Sequence, residues 1–285
     1  MLSLHTNAAA LSAQNSISKT QAALTTSQTR LSTGFRVNSA MDDAAGLQIA
    51  TRLKAQTSGM AVAMNNTQNS TSMLQTAEGA FNEVTNMLIR MKDLATQAAD
   101  ASSGAADQTA MQSEYDQLGQ ELGNVLKNTT FGGNPLLVAG TVAGPMTFQI
   151  GAASSETMTI NLTAQMTSVV TDVSAATSNY AAAAVGTELT AAGGANGSIT
   201  KLTTAIASVG AVQSALGAAS NRLDHINSNL SNISSNTQAA TGRIMDVDYA
   251  AESSRMTASQ MLLQAGTAML KQSNSQSQMV MSLLQ

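Results

Sequence analysis

Between Met60 and Ala98 the residues Met60, Met64, Thr67, Thr71, Leu74, Ala77, Phe81, Val84, Leu88, Met91, Ala95 and Ala98 advance by three or four without a break. Steps of three and four hold side chains on one face of a helix. The positions between them include Asn65, Asn66, Gln68, Asn69, Ser70, Glu83, Arg90, Lys92 and Asp93, so the opposite face is polar, and no proline interrupts the run. A helix of this length extends about 60 Å, roughly twice the diameter of a small domain. It cannot bury its seam alone, so the chain must supply long partner helices.

The sequence contains them. Residues 1–33 carry Leu4, Leu11, Ile17, Leu24 and Leu31 at nearly sevenfold spacing, and Gly34 ends that helix. Ser39, Asp42 and Asp43 then offer cap and first-turn acids for the helix that leads into the long row. After a turn over 100–107, Met111, Tyr115, Leu118, Leu122 and Val125 predict a shorter antiparallel helix, closed by Phe131-Gly-Gly-Asn-Pro135. Here the period becomes two: Met146, Phe148 and Ile150, then Met158, Ile160 and Leu162, predict a β-hairpin with its loop over 151–157.

Residues 165–198 give weak signals and read as a small exposed insertion. From Ile199 the long row returns through Leu202, Ile206, Val209, Val212, Leu216, Ala219, Leu223, Ile226, Leu230, Ile233 and Thr237, with a connector expected at Gly242. Tyr249, Met256, Leu263, Leu270 and Leu284 close the chain at multiples of seven. The fold class is mainly α: a long antiparallel helical rod with a small β-hairpin, plus a two-helix coiled coil formed by the chain ends. The boundaries are 1–40 with 245–285 for the inner terminal helices, 41–164 with 199–244 for the rod, and 165–198 for the insertion.

Composition restricts function. Aromatic residues make up 2%, tryptophan is absent and methionine numbers 17, which suits close-packed helices more than an enzyme core. The net charge of -4, with scattered basic residues, gives no nucleic-acid footprint. No run of 18–20 uninterrupted apolar residues marks a membrane span, and the first thirty residues lack the apolar core of a signal peptide. With no cysteine, thiolate and disulfide chemistry are excluded. His5 and His225 lie far apart and form no metal-ligand pair, so no catalytic, metal or cofactor site is expected.

The two ends match each other. Before Arg30 the first helix has only Lys19 as a formal charge, and beyond Arg255 the last helix has only Lys271. Two nearly uncharged helices brought side by side form an association site. Leu4, Leu11, Ile17, Leu24, Leu31, Met256, Leu263, Leu270 and Leu284 are its candidate residues. Next to them Arg30, Arg36 and Arg243 are expected to face Asp42, Asp43, Asp246, Asp248 or Glu252, within a subunit or between copies, as a charged elbow that sets register.

Several long motifs resemble one family, the bacterial flagellins. Arg30-Leu-Ser-Thr-Gly-Phe-Arg-Val-Asn-Ser-Ala-Met-Asp-Asp-Ala-Ala-Gly-Leu47, Gln75-Thr-Ala-Glu-Gly-Ala-Phe-Asn-Glu83 and Leu94-Ala-Thr-Gln-Ala98 are similar to its N-terminal region. Thr130-Phe-Gly-Gly-Asn-Pro-Leu-Leu137 resembles its helix stop, and Gly242-Arg-Ile-Met-Asp-Val-Asp-Tyr-Ala-Ala-Glu252, Gln264-Ala-Gly266 and Ser282-Leu-Leu284 resemble its C-terminal region.

The resemblance implies a homopolymeric filament subunit exported by the flagellar type III apparatus without a cleaved signal peptide. It implies an export chaperone at the C-terminal helix, and filament cap and hook-filament junction proteins as partners. It also implies an animal innate immune receptor that would meet Arg90, Leu94, Gln97 and Glu114. The alternatives are a hook-filament junction protein of the same axial family and a filament-borne adhesin or glycan binder.

Overall fold

The computed structural model describes residues 7–181 and 183–282. Leu4, His5 and Leu284 lie outside the described residues. Two compact units emerge: Met1–Thr57 with Ser235–Gln285, and Ser58–Ser234.

In the unit Ser58–Ser234 the core follows the predicted row of α2 (Ala44–Ala98). Leu74, Ala77, Phe81, Val84, Leu88, Met91, Ala95 and Ala98 are buried, whereas Met64 and Thr71 are only partly covered. The helix ends at Ala98, as the row does. α3 (Ala105–Asn128) returns antiparallel to it: Gln108 Nε2 donates to the Ala98 carbonyl, and Arg90 pairs with Glu114. Tyr115, Leu122 and Leu126 bring α3 into the same core.

Two short hairpins follow. β1 (Thr130–Phe131) and β2 (Asn134–Pro135) are joined through Gly132 and Gly133, whose φ values of 59° and 84° lie where a side chain would be strained. β3 (Pro145–Gln149) pairs antiparallel with β4 (Thr157–Asn161), with Met146 opposite Ile160 and Phe148 opposite Met158. The period-two pattern therefore places its apolar side chains on the covered face: Met146, Met158, Ile160 and Leu162 are buried. The hairpin loop comes so close to α2 at Gly59 that a Cβ there would lie 2.7 Å from the Ala152 Cβ.

The segment 165–198 is not the exposed insertion expected from its weak pattern. α4 (Thr163–Ala176) buries Met166, Val169, Val173 and Ala176 in the core, and Tyr180 and Leu189 follow them inward. A short 3-10 turn at Ser178–Tyr180 then lies against α3. Two glycines one helical turn apart permit that approach. A Cβ at Gly119 would stand 2.5 Å from Thr177 Oγ1, and one at Gly123 would stand 2.9 Å from the Tyr180 carbonyl.

A polar clasp completes the contact. Asp116, on the same face of α3, accepts from Asn179 Nδ2 (2.7 Å), the Gly186 amide (3.0 Å) and Gln112 Nε2 (2.7 Å). Gln112 also donates to Glu188 and accepts from the Leu189 amide. Lys127 donates to the Tyr180 carbonyl and lies over the Tyr180 ring.

Burial pushes the Glu188 carboxyl up, but the Ser178 amide and hydroxyl and the Gln112 amide outweigh it and hold the group below its ordinary range. A depressed carboxyl contributes stability above its unfolded value and loses it as pH falls through the folded one. The 177–189 segment is therefore expected to stay docked down to the ordinary glutamate value near pH 4.5 and to open only below it. Hydrogen exchange of this segment against pH checks this, and opening near pH 6 would contradict it.

α5 (Gly194–Met245) runs antiparallel to α2. Met60 packs near Leu230, and Gln213 Nε2 donates to Asn82 Oδ1. Its predicted row is mostly buried, from Leu202 to Leu230, with Ile206 and Ile226 partly covered and Ile233 exposed. By length and composition this helix passes as a membrane span, with a window of mean hydropathy 1.3, although polar residues interrupt its apolar run. In the fold its apolar row is spent on the protein core. The connector expected at Gly242 begins later: the helix carries Gly242 within its last turn and ends at Met245. One glycine costs a helix about 1 kcal/mol, which a helix of this length tolerates.

Candidate assembly surface

The site is built by α1 (Ala8–Thr33) and α6 (Tyr249–Ser282), which pair along their length in the unit Met1–Thr57 with Ser235–Gln285. Gly34 closes α1 in the left-handed conformation, φ 78°, its amide donating to the Arg30 carbonyl. The chain then runs antiparallel to the start of the α5–α6 connector. Phe35 bridges Asp246, the Arg36 amide donates to the Met245 carbonyl, and the Val247 amide donates to the Gly34 carbonyl. Asp248 starts α6 by accepting from the amides of Ala250 and Ala251.

Contacts along the pair are antiparallel and in one register: Asn7 with Ser273, Ile17 with Gly266, and Ser27 with Glu252. A Cβ at Gly266 would stand 2.9 Å from Ile17, so glycine sets how closely the helices approach there. Of the predicted association residues, Leu24 is buried, while Ile17, Leu31, Met256, Leu263 and Leu270 are partly buried between the helices. Leu11 is 55% exposed. Tyr249, the first residue of the sevenfold row, is exposed, and so are Met261, Leu262 and Met269, which that row did not single out.

One polar anchor fixes the seam. Glu252 is only 3% exposed, and its Oε1 accepts from Ser27 Oγ at 2.6 Å. Arg30 approaches Oε1 to 3.9 Å and Arg255 approaches Oε2 to 3.5 Å. The Arg30 Nε is buried with no hydrogen-bond partner, so Glu252 supplies the compensation its charge receives inside the pair.

The rest of the expected charged elbow divides differently among the described residues. Asp42 accepts from the amides of Asn38 and Ser39, which hold its carboxyl below the usual range. Asp43 accepts from the Gly46 amide at the start of α2. Arg36 donates to the Ile244 carbonyl. Arg243 and Asp246 line an open groove of about 650 Å³ with Gln238 and Gly242, and both are exposed. Of the charge pairings expected within the chain, Arg30 with Glu252 is the one formed among the described residues.

On the other unit, Arg90 reaches Glu114 with both Nε (2.8 Å) and Nη2 (2.7 Å), and Gln97 is exposed. Leu94 does not share that surface: it is buried in the core. His225 is exposed on α5, and no group of three or more metal-ligating side chains occurs among the described residues.

Comparison with known proteins agrees with this architecture. Residues 4–141 match the bacterial flagellin N-terminal helical region, and residues 199–284 match the bacterial flagellin C-terminal helical region. Flagellin A of Vibrio anguillarum is 31% identical, and Flagellin A of Vibrio cholerae serotype O1 is 32% identical, each over all of this chain and all of the relative. Those alignments run over 379 positions, so the relatives carry segments with no counterpart here. Among solved structures, one described as a flagellar hook-associated protein of Vibrio parahaemolyticus superimposes with a TM-score of 0.58, at 17% identity, over 72% of this chain and 100% of that one. That likeness is one of fold. The full-length sequence matches reach further, and by them the chain belongs to the bacterial flagellins.

Proposed function

We propose that this filament subunit elongates the flagellum by burying the outer faces of its α1–α6 pair among neighbouring copies. The carrying observation is what the pair leaves uncovered. Leu11, Met261, Leu262 and Met269 stay exposed in helices where Lys19 is the one charge of α1 before Arg30, and none lies between Arg255 and Lys271. Apolar surface without charge is stabilised by leaving water, and head-to-tail contacts that do not close into a ring give a helical filament. The exposed Arg243 and Asp246 lend register between copies. The work is structural, with no catalytic step and no cofactor.

The finer partners belong to the same reading. The subunit leaves the cell through the flagellar type III apparatus without a cleaved signal peptide. An export chaperone holds α6 before assembly, and the filament cap and the hook-filament junction receive the subunit. The exposed Arg90–Glu114 pair with Gln97 is the face offered to an innate immune receptor, Leu94 supporting it from beneath. A receptor reporter silent on the depolymerised subunit would refute that last point.

Seeded elongation tests the proposal. Purified subunit added to short filament fragments is expected to lengthen them above a critical concentration, and a subunit that stays monomeric on such seeds would overturn it.

A further inference from the structure

Two sets of methionines differ sharply in exposure. Met60, Met91, Met146, Met158 and Met166 are at most 3% exposed, closed inside the unit Ser58–Ser234. Met261 and Met269 are 60% and 66% exposed on α6. With Ala265 between them they follow at steps of four, which places all three in one row along the helix, and the partly buried residues Met256, Leu263 and Leu270 lie on the side toward α1. Leu262, also exposed, flanks the row, and no charged residue lies between Arg255 and Lys271.

We propose that Met261 and Met269 are an oxidative modification site that controls elongation: hydroperoxides convert these thioethers to sulfoxides in the free subunit, and the oxidised row no longer docks on a neighbouring copy. The docking half rests on the filament reading above. The thioether sulfur attacks one peroxide oxygen, an S–O bond forms as the O–O bond breaks, sulfur loses two electrons, and the departing oxygen takes the proton of the attacked one and leaves as water from hydrogen peroxide or as the alcohol from an organic hydroperoxide. The product replaces a flexible apolar side chain with a strong dipole and a hydrogen-bond acceptor, which is penalised wherever it is buried without a donor. Sulfoxide reductases of both stereochemical classes restore the thioether, so the block is reversible. Once the row is covered in the filament, peroxide reaches it poorly, so oxidation acts before assembly rather than after.

Two other thioethers provide an internal control: Met41, 95% exposed in the turn before α2, and Met279, 63% exposed on α6 beyond Lys271, both outside the stretch from Met261 to Met269. Free subunit treated with hydrogen peroxide and mapped by peptide mass spectrometry is expected to carry sulfoxide at Met41, Met261, Met269 and Met279 while the five core thioethers stay reduced. Its critical concentration for seeded elongation should rise at least tenfold and return after reductase treatment. Met261→Leu with Met269→Leu should elongate normally and ignore peroxide, although Met41 and Met279 are still oxidised. Met261→Gln with Met269→Gln, a polar row made without oxidant, should show the tenfold rise. Unchanged elongation of the mapped sulfoxide form or of the glutamine pair, or a leucine pair as sensitive as the natural chain, would overturn the proposal alone. Failure of untreated subunit to elongate would overturn the filament reading and this one with it.

Discussion

Glu252→Ala is expected to destabilise the α1–α6 pair by about 3 kcal/mol and to abolish seeded elongation. The magnitude comes from three losses. The hydrogen bond from Ser27 to a charged acceptor contributes about 2 kcal/mol, and removing it leaves a buried hydroxyl without that partner. Arg30, whose Nε has no hydrogen-bond partner, loses the carboxylate that offsets its burial. The Arg255 contact adds little, since that side chain is 71% exposed and the pair is screened by water. Ser27→Ala should cost about half as much, because it removes the hydroxyl and leaves the carboxylate facing Arg30. Thermal unfolding read by hydrogen exchange in α1 and α6 measures both. A change below about 0.5 kcal/mol for Glu252→Ala, the range of an unremarkable surface substitution, would contradict the anchor.

Phe81→Ala acts on the other unit. Phe81 is fully buried in the cluster that joins α2, α3, α4 and α5. Truncating it loses the transfer energy of the ring and leaves a cavity among helices that collapse only in part, at about 4 kcal/mol. For a unit of this size that corresponds to a fall of roughly 8–16 °C in Tm. Phe81→Leu refills most of the space and should recover more than half of the loss. Calorimetry checks both. A fall under about 3 °C for the alanine variant would mean that Phe81 is not central to this core.

The long rows of α2 and α5 and the two-residue alternation of β3 and β4 were legible because each repeats one period over a face that is covered along its length. The segment 165–198 was not, for two reasons. In α4, Met166, Val169, Val173 and Ala176 do step by three and four, but over a helix of 14 residues the row is short. Beyond it, single residues with no period hold the chain down: Tyr180 and Leu189 inward, Asn179 to Asp116, and Glu188 to Gln112. The Gly119 and Gly123 approach left no sequence signal either, since glycine marks turns as often as close packing.

The candidate assembly surface was legible in kind more than in detail. The nearly uncharged terminal helices stood out in the sequence, and they pair in the structure. Which charges would meet did not follow from their proximity in the chain. Asp42, Asp43 and Asp248 sit at turns or helix starts, where unpaired backbone amides are the nearest donors and win over distant arginines. Glu252 alone, one turn inside α6 and facing α1, meets Ser27 and Arg30. Leu94 differs from Arg90, Gln97 and Glu114 in that its side chain faces the core, a direction that its place in the motif did not give.

Electron microscopy of the purified subunit before and after removal of residues 1–33 and 249–285 tests the central claim most directly. The intact chain is expected to elongate from seeds. The trimmed chain should remain monomeric, while its thermal unfolding still reports the core around Phe81. Filaments grown from the trimmed chain would contradict assembly through the terminal helices.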